Sequence, residues 1–260
     1  RRRESVYRET PSGPLRIEAA LPDTDAPVPT LVHVHGGAWR YGSAGLGGMA
    51  RLARAGIGVA SVQYRLSGTA TYPAAVRDVV AAVRWVRADE AGWNVDPDRV
   101  ALAGGSAGAH LAALVAAAPT HSTFQPDADA GGEATVDALV GHYGIYDLRG
   151  RDACADRNTR KFLGEGCDDA AVVAEASPVT HVDGDHPSTR LFHGADDELI
   201  PPAASRAYRD ALSAADVTVE YTELSDAPHG YTDPNNAEMA ETRRRAHART
   251  VRWLVEQVWA

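Results

Sequence analysis

Lysine is almost missing from this chain: of 26 basic residues only Lys161 is a lysine. That scarcity weakens any chemistry that needs a lysine nucleophile or a Schiff base. Cysteine is scarce too, with only Cys154 and Cys167, set in one polar stretch without a CxxC spacing. We expect free thiols there, with closure of one small loop as the alternative. No apolar run approaches the roughly 20 residues that span a bilayer, and the N-terminus has no apolar stretch of the signal-peptide kind. We therefore expect a soluble, cytoplasmic protein without a membrane partner, unless a leader has been trimmed. Positive charge is also short. The net charge of -9 repels phosphate backbones and anionic lipid, and Arg1 to Arg3 are too few to offset it, so nucleic acid is not an expected partner.

What is present suits one substantial core. The chain has 260 residues, 44% of them hydrophobic, which favours a single α/β domain over 1–260. Segments of strand and helix character alternate along most of it, the pattern of a mostly parallel sheet covered by helices on both faces. Residues 5–7 and 15–19 flank the turn Pro11-Ser12-Gly13-Pro14 and predict an edge hairpin. Short apolar runs at 31–34, 57–62, 100–103, 139–143 and 190–192 read as buried strands. Residues 217–224 alternate as a half-buried strand would. Between 73 and 87, Val76, Val79, Val80, Val83 and Val86 recur on one helical face behind Pro73. Residues 109–118 read as a second helix, and Asp233-Pro234 as N-cap and N1 of a closing helix that reaches Trp259. No internal repeat is present. The stretches 122–132 and 147–177 are polar or irregular and read as surface loops, the second as a probable lid.

One motif carries chemistry. Gly104-Gly105-Ser106-Ala107-Gly108 fits G-x-S-x-G where an apolar strand ends and a helix begins. A serine on that turn is held in a tight backbone conformation, and small neighbours let strand and helix approach while the hydroxyl projects. His35-Gly36-Gly37-Ala38-Trp39 follows another strand, at the place where an oxyanion hole is built from backbone N–H groups. We assign its donors as the amides of Gly37, Ala38 and Ala107, and His35 as a structural brace.

These segments, with Tyr64-Arg65-Leu66, Asp96-Pro97-Asp98-Arg99, His193-Gly194-Ala195-Asp196-Asp197-Glu198-Leu199-Ile200-Pro201 and Pro228-His229-Gly230-Tyr231, resemble the α/β-hydrolase esterase/lipase family. The nearest branches are the hormone-sensitive-lipase-like and feruloyl-esterase-like ones, and the resemblance runs over nearly the whole chain. It implies an α/β-hydrolase fold, with a mostly parallel central sheet and a short lid. It also implies a triad of Ser106 as nucleophile, His229 as base and Asp197, from the pattern H-G-x-x-D-x-x-[VI]-P, as the residue orienting that base. Asp196 is the rival to Asp197. His193 and His142 read as structural or pocket-lining. The order Ser106, Asp197, His229 is that of α/β-hydrolases. Such a mechanism passes through an acyl-serine and needs no cofactor and no metal.

Two departures separate the chain from well-known lipases. Ala38 stands where lipolytic relatives often have a third glycine, and Gly105 where they commonly have Asp. With a lid that lacks a continuous apolar helix, they point away from long-chain lipids. Short-chain or aromatic esters are the expected small-molecule substrates. Trp39 and Tyr41 either shape the substrate pocket or serve the fold. The glycines between Gly42 and Gly48 read as loop flexibility rather than as a phosphate cradle. Alternatives to a carboxylesterase are an arylformamidase or other amidase, an acyl transferase or cyclase of secondary metabolism, and, least favoured, a non-catalytic binding protein. A homodimer is compatible with the sequence.

Overall fold

The computed structural model describes residues 1–126, 132–149 and 152–260. Residues 127–131 of the first expected loop and 150–151 of the expected lid lie outside that description. The strands are β1 Arg2–Arg8, β2 Leu15–Ala20, β3 Val28–Val34, β4 Gly58–Val62, β5 Val95–Gly105, β6 Ala138–His142, β7 Ser188–Gly194 and β8 Val219–Leu224. They form one sheet in the order β1-β2-β4-β3-β5-β6-β7-β8. The hairpin β1–β2 and the β2–β4 pair are antiparallel, and every pairing from β4 to β8 is parallel. The parallel strands begin or end within a few residues of the apolar runs, because a strand covered on both faces must be apolar at nearly every position.

The helices are α1 Ala74–Arg87, α2 Ala107–Ala117, α3 Arg157–Leu163, α4 Ala170–Glu175, α5 Ala203–Ala214 and α6 Ala240–Trp253. All five valines of the α1 stripe are buried, in the core layer that also takes α2 and the α5 residues Tyr208 and Leu212. The opposite face of the sheet is covered by the 3-10 segment Gly47–Ala55 and by α6. Alternation along the strands feeds both layers: Val32, Leu102 and Leu139 face one, Leu31, Ala101 and Val140 the other. Apart from His110, helix α2 is apolar around its circumference, and it is buried from Ala107 to Ala116, as a helix at the centre of the packing must be.

Beside the sheet, the Asp78 carboxylate on α1 is fully buried. It accepts from Arg8 (2.6 Å) and, bidentately, from Arg65 (2.8 and 2.9 Å) and from the Arg65 amide (2.9 Å). Four charge-assisted bonds thereby join the edge hairpin, the loop after β4 and the first helix.

Three expectations are corrected. The closing helix starts at Ala240 rather than at Asp233. The Asp233 carboxylate accepts from the Asn235 amide (2.8 Å) and its carbonyl from the Asn236 amide (3.1 Å), which closes a turn, and no helical run follows until Ala240. The helix passes into a π turn at Leu254–Val258. The lid region is more ordered than its composition suggested. It carries α3, a 3-10 turn at Gly164–Asp168 and α4, with Asp156 and Asp169 as N-caps and Phe162, Leu163 and Val173 buried. Finally, Cys154 and Cys167 are not free thiols. That turn brings their Cα atoms to 5.2 Å, and they form a disulfide. The bond closes a loop over a sequence separation of 13 residues. Opening a loop of that size is expected to cost roughly 3 kcal/mol of stability. Urea unfolding of Cys154→Ser/Cys167→Ser should show that loss, with native protein in reductant showing the same shift.

Candidate active site

Ser106 sits between β5 and α2 at φ 55° and ψ -123°, a backbone conformation that L-residues adopt only under constraint from their surroundings. The constraint is close contact between backbones. A Cβ on Gly104 would lie 2.3 Å from the Gly108 carbonyl, and one on Gly108 would lie 2.1 Å from the Val34 carbonyl oxygen. Only glycine at both positions lets β5, α2 and β3 meet at this distance. The turn is tied down from beneath, the Ser106 amide donating to the His142 carbonyl of β6 (2.9 Å).

From that turn the hydroxyl faces the loop after β8. Ser106 Oγ lies 3.0 Å from His229 Nε2, and His229 Nδ1 lies 2.7 Å from Asp197 Oδ2. Asp197 follows β7 and is buried, while Asp196, the rival by sequence, is exposed and contributes only its amide, to the Ala227 carbonyl. The other oxygen of Asp197 accepts from the amides of Leu199 (3.0 Å) and Ile200 (2.8 Å). With Nδ1–H donated to this carboxylate, the Nε2 lone pair of His229 is turned to the serine hydroxyl.

A family model described as BD-FAE matches residues 18–212. The chain belongs to the BD-FAE family. Among curated relatives, Esterase LipQ of Mycobacterium tuberculosis is 35% identical over 213 residues, 78% of this chain and 50% of LipQ. Esterase LipC of the same organism is 32% identical over 257 residues, 95% of this chain and 63% of LipC. The chain thus spans between half and just under two thirds of these relatives' length. The fold matches the thermophilic esterase Est2 of Thermogutta terrifontis with a TM-score of 0.82, covering 98% of this chain and 91% of that one at 24% identity. The architecture is the α/β-hydrolase fold that the motifs implied.

The candidate oxyanion loop lies directly against Ser106. A Cβ on Gly36 would lie 2.8 Å from the Gly105 carbonyl oxygen and 3.5 Å from Ser106 Cβ. Gly37, Ala38 and Trp39 all have positive φ, and among the described residues no acceptor takes the amide protons of Gly37 or Ala38. Ala107, the first residue of α2, has no intrahelical partner for its N–H. His35 braces this loop. Its Nδ1–H donates to the Gly36 carbonyl (2.7 Å), its ring stacks on Tyr64 at 4.3 Å, and the Tyr64 hydroxyl donates to the His35 carbonyl (3.0 Å).

Trp39, one of the two candidate pocket residues, belongs to the core. Its ring is 1% exposed, stacks on Phe162 of α3 at 4.7 Å and donates through Nε1 to His110 Nδ1 (3.2 Å). His110 Nε2–H in turn donates to the Ala176 carbonyl (2.8 Å). The large ring has turned inward because an apolar slot under the lid region accepts it. Tyr41 is 61% exposed, with the Arg40 guanidinium over its ring. Neither residue lines the 510 Å³ cavity described below.

Sequence reasoning did not single out two neighbours of the triad as partners in it. Tyr143, at φ 40°, presents its ring edge-to-face to His229 at 4.8 Å, and burial pushes its phenol up to about 12, so it stays protonated beside the imidazole. His193 is fully buried. Its Nε2–H lies 3.1 Å from Asp197 Oδ2 and 2.8 Å from the Ile200 carbonyl, and its Nδ1 accepts from Ser205 (2.7 Å). Burial lowers its pKa, so it holds the carboxylate as a neutral donor. A histidine four residues before the aspartate was the available signal.

Two outcomes follow for this constellation. His193→Phe should lower kcat by up to about 100-fold with little change in KM, because Asp197 keeps its backbone donors but loses its lateral one. His193→Gln, which restores an N–H, should recover part of the rate in the same steady-state assay. Acid should destabilise the protein well above the carboxylate range. Burial holds His33 and His142 down to about 3 and His110 and His247 to about 4, against 6.5. Between those values the unfolded chain binds protons that the folded one does not, so stability is complete above pH 6.5 and falls as pH drops toward 4. Urea midpoints measured across that window should fall steadily.

Proposed function

We propose that the chain is a serine carboxylesterase that cleaves short-chain or aromatic carboxylic esters through an acyl-serine. The observation that carries this is the unbroken line Ser106 Oγ, His229 Nε2, His229 Nδ1, Asp197 Oδ2, at 3.0 and 2.7 Å. His229 takes the Ser106 proton as the oxygen attacks the ester carbonyl, and Asp197 stabilises the imidazolium that results. The negative oxygen of the tetrahedral intermediate is received by the amides of Gly37, Ala38 and Ala107. One such donor contributes roughly 2.7 to 4 kcal/mol of barrier lowering. His229 gives the proton to the leaving alcohol, then activates water to release the acid. All three side chains come from one subunit, so the chemistry needs no second copy. The esterase names of LipQ and LipC support the same reading.

The test is hydrolysis of nitrophenyl acetate and nitrophenyl octanoate by purified protein and by Ser106→Ala. We expect the acetate to be preferred and Ser106→Ala to lose activity on the order of a million-fold, to background. A folded wild-type protein inactive on both esters would overturn the proposal.

A further inference from the structure

Behind the residues that hold the triad lies a cavity of about 510 Å³, between the sheet and the layer formed by the 3-10 segment and α6. It begins at Gly36, Gly105 and Gly230, each the chain neighbour of a group assigned to the chemistry: an oxyanion amide, the nucleophile and the base. A Cβ on Gly230 would meet nothing within 4 Å, so there is free space beside the backbone that follows His229, although Ser106 and His229 do not themselves line the cavity. Leu31, Leu46, Met49, Leu52 and Val140 supply apolar walls.

Four histidines face this space: His33, His35, His142 and His247. Three of them are 8% exposed, and their hydrogen bonds define what each ring offers. His247 Nδ1 lies 2.6 Å from the Arg51 guanidinium, which can only donate, so the His247 proton is on Nε2. His142 Nδ1 lies 2.7 Å from the Tyr231 hydroxyl, whose proton has no other acceptor among the described residues, so the His142 proton is also on Nε2. His35 donates through Nδ1 to the Gly36 carbonyl and keeps Nε2 as an acceptor. None of these three Nε2 atoms has a partner among the described residues. The triad uses none of them. Among the described residues no lysine or arginine lines the cavity, while Asp233 does. A buried anion would therefore meet no cationic group directly, the Arg51 guanidinium being turned to His247 Nδ1, and its desolvation would be costly. A bare alkyl chain would displace water from two N–H donors and give nothing back.

We propose that this cavity receives one arm of the ester, and that it selects an arm bearing an uncharged oxygen acceptor, an ether, carbonyl or hydroxyl, over a bare alkyl chain or a carboxylate. The inference rests on the esterase reading for its substrate, but it concerns binding and is tested apart from turnover. Ser106→Ala protein, which cannot form an acyl-enzyme, would be titrated by calorimetry with two matched pairs. These are methyl 6-methoxyhexanoate against methyl octanoate for the acyl arm, and 6-methoxyhexyl acetate against octyl acetate for the alcohol arm. Monomethyl suberate would be the anionic control.

In one pair the ratio of ether to alkyl affinity should fall about tenfold on adding His247→Phe and return with His247→Gln, which restores an N–H. His142→Phe should lower the same ratio, and monomethyl suberate should bind more weakly than either neutral acyl ester. Circular dichroism of each variant identifies those that fold. Ratios unchanged by both phenylalanine variants in both pairs, or tighter binding of the suberate, would overturn the proposal. Loss of Ser106-dependent turnover with the affinity ratios intact would overturn the esterase reading alone.

Discussion

Everything at this site depends on backbones meeting without side chains between them. The carbonyls of Val34 and Gly108 occupy the places where Cβ atoms of Gly108 and Gly104 would stand, and this contact holds Ser106 at positive φ with its hydroxyl out of the sheet. A single methyl group at either glycine would overlap backbone atoms that have no rotamer to escape into. The strain at Ser106 is sustained by the rest of the core, above all by α2, which is apolar apart from His110 and buried along nearly its whole length.

The same packing positions the candidate oxyanion loop, which is held from two directions. From one side Tyr64 stacks on His35 and bonds its carbonyl. From the other, Trp39 packs against both His110 and Phe162, which also touch each other. Phe162 lies within the loop closed by Cys154 and Cys167, so the disulfide restrains the region that seats Trp39. A covalent bond remote in sequence thus supports amides at the candidate oxyanion hole.

Neutral buried imidazoles recur at the site and behind it. The Asp197 carboxylate is buried with two backbone amides, His229 and a neutral His193 around it. The cavity behind the site repeats the pattern with uncharged imidazoles whose tautomers are set by Arg51, Tyr231 and the Gly36 carbonyl. Neutral rings keep direction and hydrogen-bonding capacity while avoiding the desolvation cost of buried cations.

The sequence by itself determined the alternation of strands and helices, the G-x-S-x-G turn, the order Ser106, Asp197, His229 and the glycines of the candidate oxyanion loop. These are local: a strand buried on both faces must be apolar, and a turn at positive φ with backbone contacts demands small residues. Only the tertiary structure decided what depends on distant partners. Whether Trp39 faces substrate or core was settled by the slot that Phe162 and His110 provide. Cys154 and Cys167 pair where a 3-10 turn brings them together, and after Asp233 the chain makes a turn, closed by Asn236 on the Asp233 carbonyl, before the helix starts at Ala240. The role of His193 beside Asp197, and the meeting of four histidines from β3, the loop after it, β6 and α6 in one cavity, are likewise products of packing. Sequence names the side chain; its neighbours across the fold determine which nitrogen carries the proton and where it points.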